Sequence, residues 1–99
     1  MNISAIFAEH LKVIQALEKA IPQLETTIEQ VVTALQRGGK VFWIGNGGSA
    51  ADAQHMAAEL IGRFKTERQA LPSIALTTDS SILTCLSNDY SFDTVFSRQ

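Results

Sequence analysis

Lys40-Val-Phe-Trp-Ile-Gly45-Asn46-Gly47-Gly48-Ser49-Ala50 is the stretch that decides the fold class. A short apolar run that ends in glycine reads as a buried strand feeding a turn. Directly after it, Ala50, Ala53, Met56, Ala57, Leu60, Ile61 and Phe64 recur at helical spacing, so a helix is expected from Ser49 to about Lys65 with these residues on its packed face. Leu71-Pro-Ser-Ile-Ala-Leu-Thr77 then reads as a second buried strand, with Pro72 tolerated at its start. A helix between two buried strands implies a right-handed crossover in a parallel sheet. Asp79 is placed to cap a short helix over residues 80–86, and Ser91 a further helix that runs to the end of the sequence.

Upstream, Ile3, Phe7, Ile14, Leu17, Ile21, Leu24, Ile28, Val31 and Leu35 form a helical seam once His10 is allowed its place. Pro22 removes a backbone donor inside it, so the seam divides into helices over residues 3–20 and 22–37, stopped by Gly38 and Gly39. The stripe is longer than two strands can cover. Either it packs on helices of another subunit, which would place His10 at an interface, or the two helices form a hairpin over the sheet.

The element order is therefore ααβαβαα, an α/β class. It is expected to be the first half of a doubly wound αβα sandwich with a parallel sheet, preceded by two helices, because two strands are too few for such a sheet. Within one domain spanning 1–99, residues 1–38 form a helical oligomerisation segment and 39–99 a βαβα unit. The last segment, from Phe92, starts a helix without an ending signal, so the sequence reads as part of a longer chain.

Composition narrows the function. In 99 residues, 45% hydrophobic and 18% charged side chains exclude disorder, and a net charge of −2 offers no excess of cations for a nucleic-acid backbone. Charged residues interrupt every apolar stretch before it could span a membrane, and the N-terminus lacks a signal-peptide pattern. With one cysteine, Cys85, no internal disulfide is available, and a cytoplasmic location is expected. Cys85 reads as a buried, inert thiol and Trp43 as core.

Three constellations carry chemistry. The turn from Gly45 to Ala50 can bring free backbone N–H groups to an anion at the positive end of a helix. It also matches a G-x-G-x-x-A dinucleotide fingerprint, but no acidic residue ends the second strand where that motif needs one, so no nucleotide cofactor is expected. On the following helix, Asp52, His55, Glu59 and Arg63 fall within an arc of about 80° at 100° per residue. His55 and Glu59, four apart, suit two ligands of one metal or a base and its orienting partner, whereas a solvated face with an ordinary Glu59–Arg63 pair would need neither. Thr77-Thr78-Asp79-Ser80-Ser81 and Ser87-Asn88-Asp89 flank the next helix, where they could meet a polyhydroxylated ligand, although capping by Asp79 accounts for much of the first.

Taken together, Gly45 to Phe64, Leu71 to Asp79 and the Asn88-Asp89-Tyr90 segment resemble the sugar isomerase (SIS) domain of the phosphoheptose isomerase family, in order and spacing and along the whole chain. The resemblance implies interconversion of sedoheptulose 7-phosphate and D-glycero-D-manno-heptose 7-phosphate through an ene-diol, feeding heptose synthesis for surface polysaccharide. It implies a homotetramer with the leading helices in a central bundle, and no nucleic-acid or membrane partner. By position, Asn46, Gly47 and Gly48 correspond to groups lining the sugar phosphate site, Glu59 to the catalytic acid/base, and Asn88 and Asp89 to groups binding the substrate chain, with Ser49, Glu59 and Arg63 also counted as substrate-binding. His55 and Glu59 match two zinc ligands of metal-containing members. The serine- and threonine-rich phosphate loop and the later glutamine and histidine of that family have no counterpart in these residues. A non-catalytic paralogue that binds the bacterial replication initiator shares segments like Thr77-Thr78-Asp79 and Thr66-Glu67-Arg68, but lacks the carboxylate at the place of Glu59.

Overall fold

Asn2 opens the first helix, its side chain accepting the Ala5 N–H at 3.1 Å, so one of the orphan donors of the first turn is satisfied. In the computed structural model, which describes Met1–Gln99, α1 spans Ile3–Leu17, a 3₁₀ turn covers Glu18–Ala20, and α2 spans Ile21–Gln36. Pro22 lies in the first turn of α2, as its missing donor requires. The expected division into two helices is present as a 3₁₀ tightening: Leu17, Glu18 and Ile21 all keep right-handed helical dihedrals. A hairpin needs a reversing loop at this point, and the backbone makes none, so the hairpin alternative is not realised. Gly38, at φ +80°, and Gly39, whose N–H donates to the Ala34 carbonyl at 2.8 Å, end α2.

The chain divides into two compact units, Met1–Thr33 and Ala34–Gln99. In the second, β1 (Val41–Trp43) and β2 (Ser73–Ala75) pair in parallel, with Val41 opposite Ser73 and Trp43 opposite Ala75. α3 (Gly48–Ile61) connects them and packs on both. α4 (Ser80–Asp89) follows β2, and a 3₁₀ turn covers Phe92–Thr94.

Ala53 and Ala57, one turn apart on α3, are buried, and such small residues let a helix approach a sheet closely. Ser73 is also buried, its hydroxyl accepting the indole N–H of half-buried Trp43 at 2.8 Å. The opposite side of the sheet, with Phe42, Ile44 and Ile74, is exposed. Val95, after the last 3₁₀ turn, is fully buried.

Several expectations are corrected. α3 stops at Ile61, because the backbone turns away at Gly62 (φ −80°, ψ −116°), so Phe64 lies beyond the helix and is exposed. Met56 and Ile61 are exposed too; Met56 falls only about 40° from Asp52 around the helix and belongs to the polar side. Asp79 caps α4 as expected, accepting the Ile82 N–H at 2.8 Å, but the helix continues to Asp89. Ser91 makes no side-chain cap, and the segment after it is a short 3₁₀ turn rather than a full helix. Cys85 is exposed, not buried.

Candidate functional site

The turn between β1 and α3 is built around Ser49. Its hydroxyl accepts the Asn46 N–H at 2.8 Å and donates to the Asn46 carbonyl at 2.9 Å, closing the loop on itself. A Cβ on Gly45 would stand 2.4 Å from the Ser49 carbonyl oxygen, so only glycine fits there. Gly47 takes φ +57°, a conformation that favours glycine, whereas Gly48 has open space around it. The Gly47 and Gly48 N–H groups donate to no group of the chain, and they stand at the positive end of α3. Gly45, Asn46, Gly47 and Ala50 line a cavity of about 180 Å³ with Thr77, Leu83, Phe92 and Phe96. This is the crevice beyond the strand ends, as open parallel sheets provide.

A second cavity, of about 270 Å³, is lined by His55, Met56, Glu59, Leu60, Phe64 and Arg68. His55 Nε2 and Glu59 Oε1 are 3.4 Å apart; the histidine side chain is 75% exposed and the glutamate 30%. The glutamate therefore sits against apolar walls with one face open, beside an imidazole able to donate to it. Arg63 does not pair with Glu59. It reaches forward to Glu67, Nη1 to Oε2 at 3.3 Å, an exposed pair in the segment beyond α3.

The two cavities lie toward opposite ends of α3. Gly48 and Glu59 are separated by about 16 Å along the axis at 1.5 Å per residue. Arg63, Asn88 and Asp89 line neither cavity. At the end of α4, Asn88 Nδ2 donates to Asp89 Oδ1 at 3.0 Å, and the Cys85 thiol lies 3.4 Å from Asp89 Oδ2. Donation from Asn88, then from Cys85, holds the Asp89 carboxyl below the usual carboxylate range, while the bond to Asp89 and its charge push the Cys85 thiol up.

As a metal site the pair His55 and Glu59 is half complete. Two donors on one tetrahedral zinc, at about 2.0–2.1 Å each, stand about 3.3 Å apart, close to the 3.4 Å observed. No set of three or more His, Cys, Asp or Glu side chains converges anywhere in the chain.

The residue that sequence reasoning overlooked is Arg68. Its guanidinium lines the cavity of Glu59 and donates to backbone carbonyls at the end of α3. The signal was present as a cation a few residues beyond Gly62, where a helix end has carbonyls to satisfy. Thr77, expected to meet a ligand, does line the crevice, whereas Phe92 and Phe96 were not singled out as its walls, because only the fold brings them to the glycine turn.

A two-stranded parallel βαβ unit with a glycine turn at its first crossover and two leading helices is the pattern of a sugar isomerase domain. The family model described as the SIS domain matches residues 6–99, and the chain belongs to that family. Among its relatives, the phosphoheptose isomerase of Citrifermentans bemidjiense is 53% identical over the whole chain, and that of Aquifex aeolicus 55% over 99% of it. The chain spans about half the length of these curated relatives, 52% in both cases. The structure of phosphoheptose isomerase from Neisseria gonorrhoeae superposes with a TM-score of 0.83 at 44% identity, covering 98% of this chain and 50% of that one. The structure of a phosphoheptose isomerase from Francisella tularensis gives 0.82 at 35%, covering all of this chain and 55% of that one. No helix of the chain is long and apolar enough to cross a membrane.

Proposed function

We propose that the protein is an aldose–ketose isomerase acting on a seven-carbon sugar phosphate, with Glu59 as its acid/base. The observation that carries this is a carboxylate 30% exposed in an apolar-walled cavity beside His55, in a chain whose relatives are named phosphoheptose isomerase. In the forward direction, Glu59 removes a proton from the hydroxymethyl carbon next to the ketose carbonyl while the carbonyl oxygen takes up a proton, giving the ene-diol. The hydroxyl of the former hydroxymethyl carbon then releases its proton as the aldehyde forms, and Glu59 returns its proton to the former carbonyl carbon. No atom is gained or lost. Asn46, the free N–H groups of Gly47 and Gly48, and Ser49 are assigned to the sugar phosphate, Arg63, just beyond the other end of α3, to substrate binding, and Asn88 and Asp89 to the polyhydroxyl chain.

The substrate and product we assign are sedoheptulose 7-phosphate and D-glycero-D-manno-heptose 7-phosphate, in heptose synthesis for surface polysaccharide, with the reaction in the cytoplasm; the similarity to proteins named phosphoheptose isomerase supports this reading. Zinc, when bound, would polarise the substrate carbonyl, held by His55 and Glu59 with further donors outside this chain. A metal-held Glu59 is withheld from proton transfer, so the two roles are compatible only when the carboxylate leaves the metal during turnover. Activity unaffected by rigorous chelation, with no metal found by elemental analysis, removes zinc from the mechanism.

A homotetramer with the leading helices at its centre accounts for the apolar stripe of α1 and α2. The carboxylate at Glu59 weighs against a purely initiator-binding role. Incubating the full-length protein with sedoheptulose 7-phosphate tests the reading: an aldose heptose phosphate accumulates if it holds, and unchanged ketose contradicts it.

A further inference from the structure

The C-terminal end of α3 is secured from outside the helix. The last turn contains no basic residue of its own, and the Gly62 N–H satisfies only the Ala58 carbonyl, at 2.8 Å. Arg68 adds to this: Nη2 donates to the Glu59 carbonyl at 2.7 Å, and Nη1 lies within 2.9 Å of the Leu60, 3.1 Å of the Gln69 and 3.4 Å of the Gly62 carbonyl oxygens. A guanidinium at the negative end of a helix is also favourably placed in the field of its dipole. The Leu71 N–H adds a bond to the Leu60 carbonyl at 3.0 Å, so the segment entering β2 is tied to the same turn.

Glu59 is the third residue from the end of α3, in a turn that would otherwise fray. Its backbone is the group that Arg68 grips most closely, while its side chain faces the cavity that Arg68 helps to wall. With Nη1 shared among three carbonyls and Nη2 engaged with a fourth, little of the guanidinium is left for a ligand.

We propose that Arg68 is a positioning residue for Glu59, holding the last turn of α3 so that the carboxylate keeps its place against the substrate; this rests on the isomerase reading above. A misplacement of about 1 Å at a reacting group costs up to about 100-fold in rate. In the full-length protein, Arg68→Ala should lower kcat about 10- to 100-fold with KM changed less than about 3-fold. Arg68→Lys keeps the charge but loses the planar fork, and should recover part of that loss at the same KM. Amide hydrogen exchange across the last turn of α3 should quicken in both variants, without a general loss of protection.

An unchanged kcat in folded Arg68→Ala or Arg68→Lys overturns the proposal. So does a rise in KM with kcat intact, which would mean that the guanidinium binds substrate. Should Arg68→Ala not fold, the Lys variant decides by the same split. Wild-type protein that makes no aldose, or a Glu59→Gln variant as active as wild type, breaks the isomerase reading instead. In that case unaltered exchange at the end of α3 would separately remove the structural half of the proposal.

Discussion

Along α1 and α2 no side chain is buried, and Phe7 and Ile28 remain 67% and 62% exposed. In Ala34–Gln99, by contrast, fewer apolar residues are needed to fix the structure, because Ala53, Ala57 and Val95 are buried and polar side chains close the turns. The first unit has a regular apolar surface without an internal partner. The second has irregular sequence whose backbone and side-chain hydrogen bonds place particular groups. Periodicity is enough to specify a helix, but what that helix meets is decided elsewhere; a built loop carries its own geometry.

The largest effect expected from this contrast is on assembly. Burying a Leu or Ile is worth about 1.5–3 kcal/mol, so under the proposed homotetramer a stripe of such residues on α1 and α2 should drive association of copies. Replacing Ile14 and Leu17 together with Asp should dissociate the full-length protein or unfold it, as sedimentation would show. A wild-type protein that sediments as a compact monomer at micromolar concentration would mean that the stripe is covered within one chain, and the contrast between the units would collapse.

A smaller effect separates two glycines of the turn. Gly45→Ala would drive a Cβ into the Ser49 backbone, where nothing flexible can yield, and should cost about 3 kcal/mol or more in denaturant melts. Gly48→Ala meets no neighbour and sits in helical backbone, so its stability should change by less than about 1 kcal/mol. Equal costs at both positions would show that the turn is not held as described.

The smallest concerns the end of α4. Because the bond to Asp89 and its negative charge raise the Cys85 thiol, the thiolate is disfavoured near neutrality although the sulfur is exposed. Asp89→Asn removes the charge, so alkylation of Cys85 at about pH 8 should speed up several-fold. A slower or unchanged rate would mean that Asp89 does not control the thiol.

Much of the fold was legible because local signals agreed with it. Pro22 and Gly38 bracket α2, Asp79 caps α4, and the apolar runs around Phe42 and Ile74 mark the strands. The sequence placed α3 too far because Phe64 continues the helical spacing past Gly62, where the backbone in fact turns. The division of the leading segment into two helices, with Pro22 in the first turn of the second, was legible; the 3₁₀ link at Glu18–Ala20 that joins them without reversing the chain was not. Cys85 lies on the side of α4 that carries Asp89, which a count of apolar neighbours does not reveal.

The candidate site was legible as two local patterns, the glycine turn and the His55–Glu59 spacing, because each is written within a few residues. Arg68 and the crevice walls at Phe92 and Phe96 were not, because tertiary structure alone joins them to those patterns.

The most direct test compares sedoheptulose 7-phosphate turnover by the full-length protein and its Glu59→Gln variant, which keeps the shape of the side chain and removes the base. Wild type should form the aldose phosphate, and the variant should be slower by about 10²- to 10⁴-fold while still binding substrate. Equal turnover by the two proteins would contradict the assignment of Glu59 and the mechanism built on it.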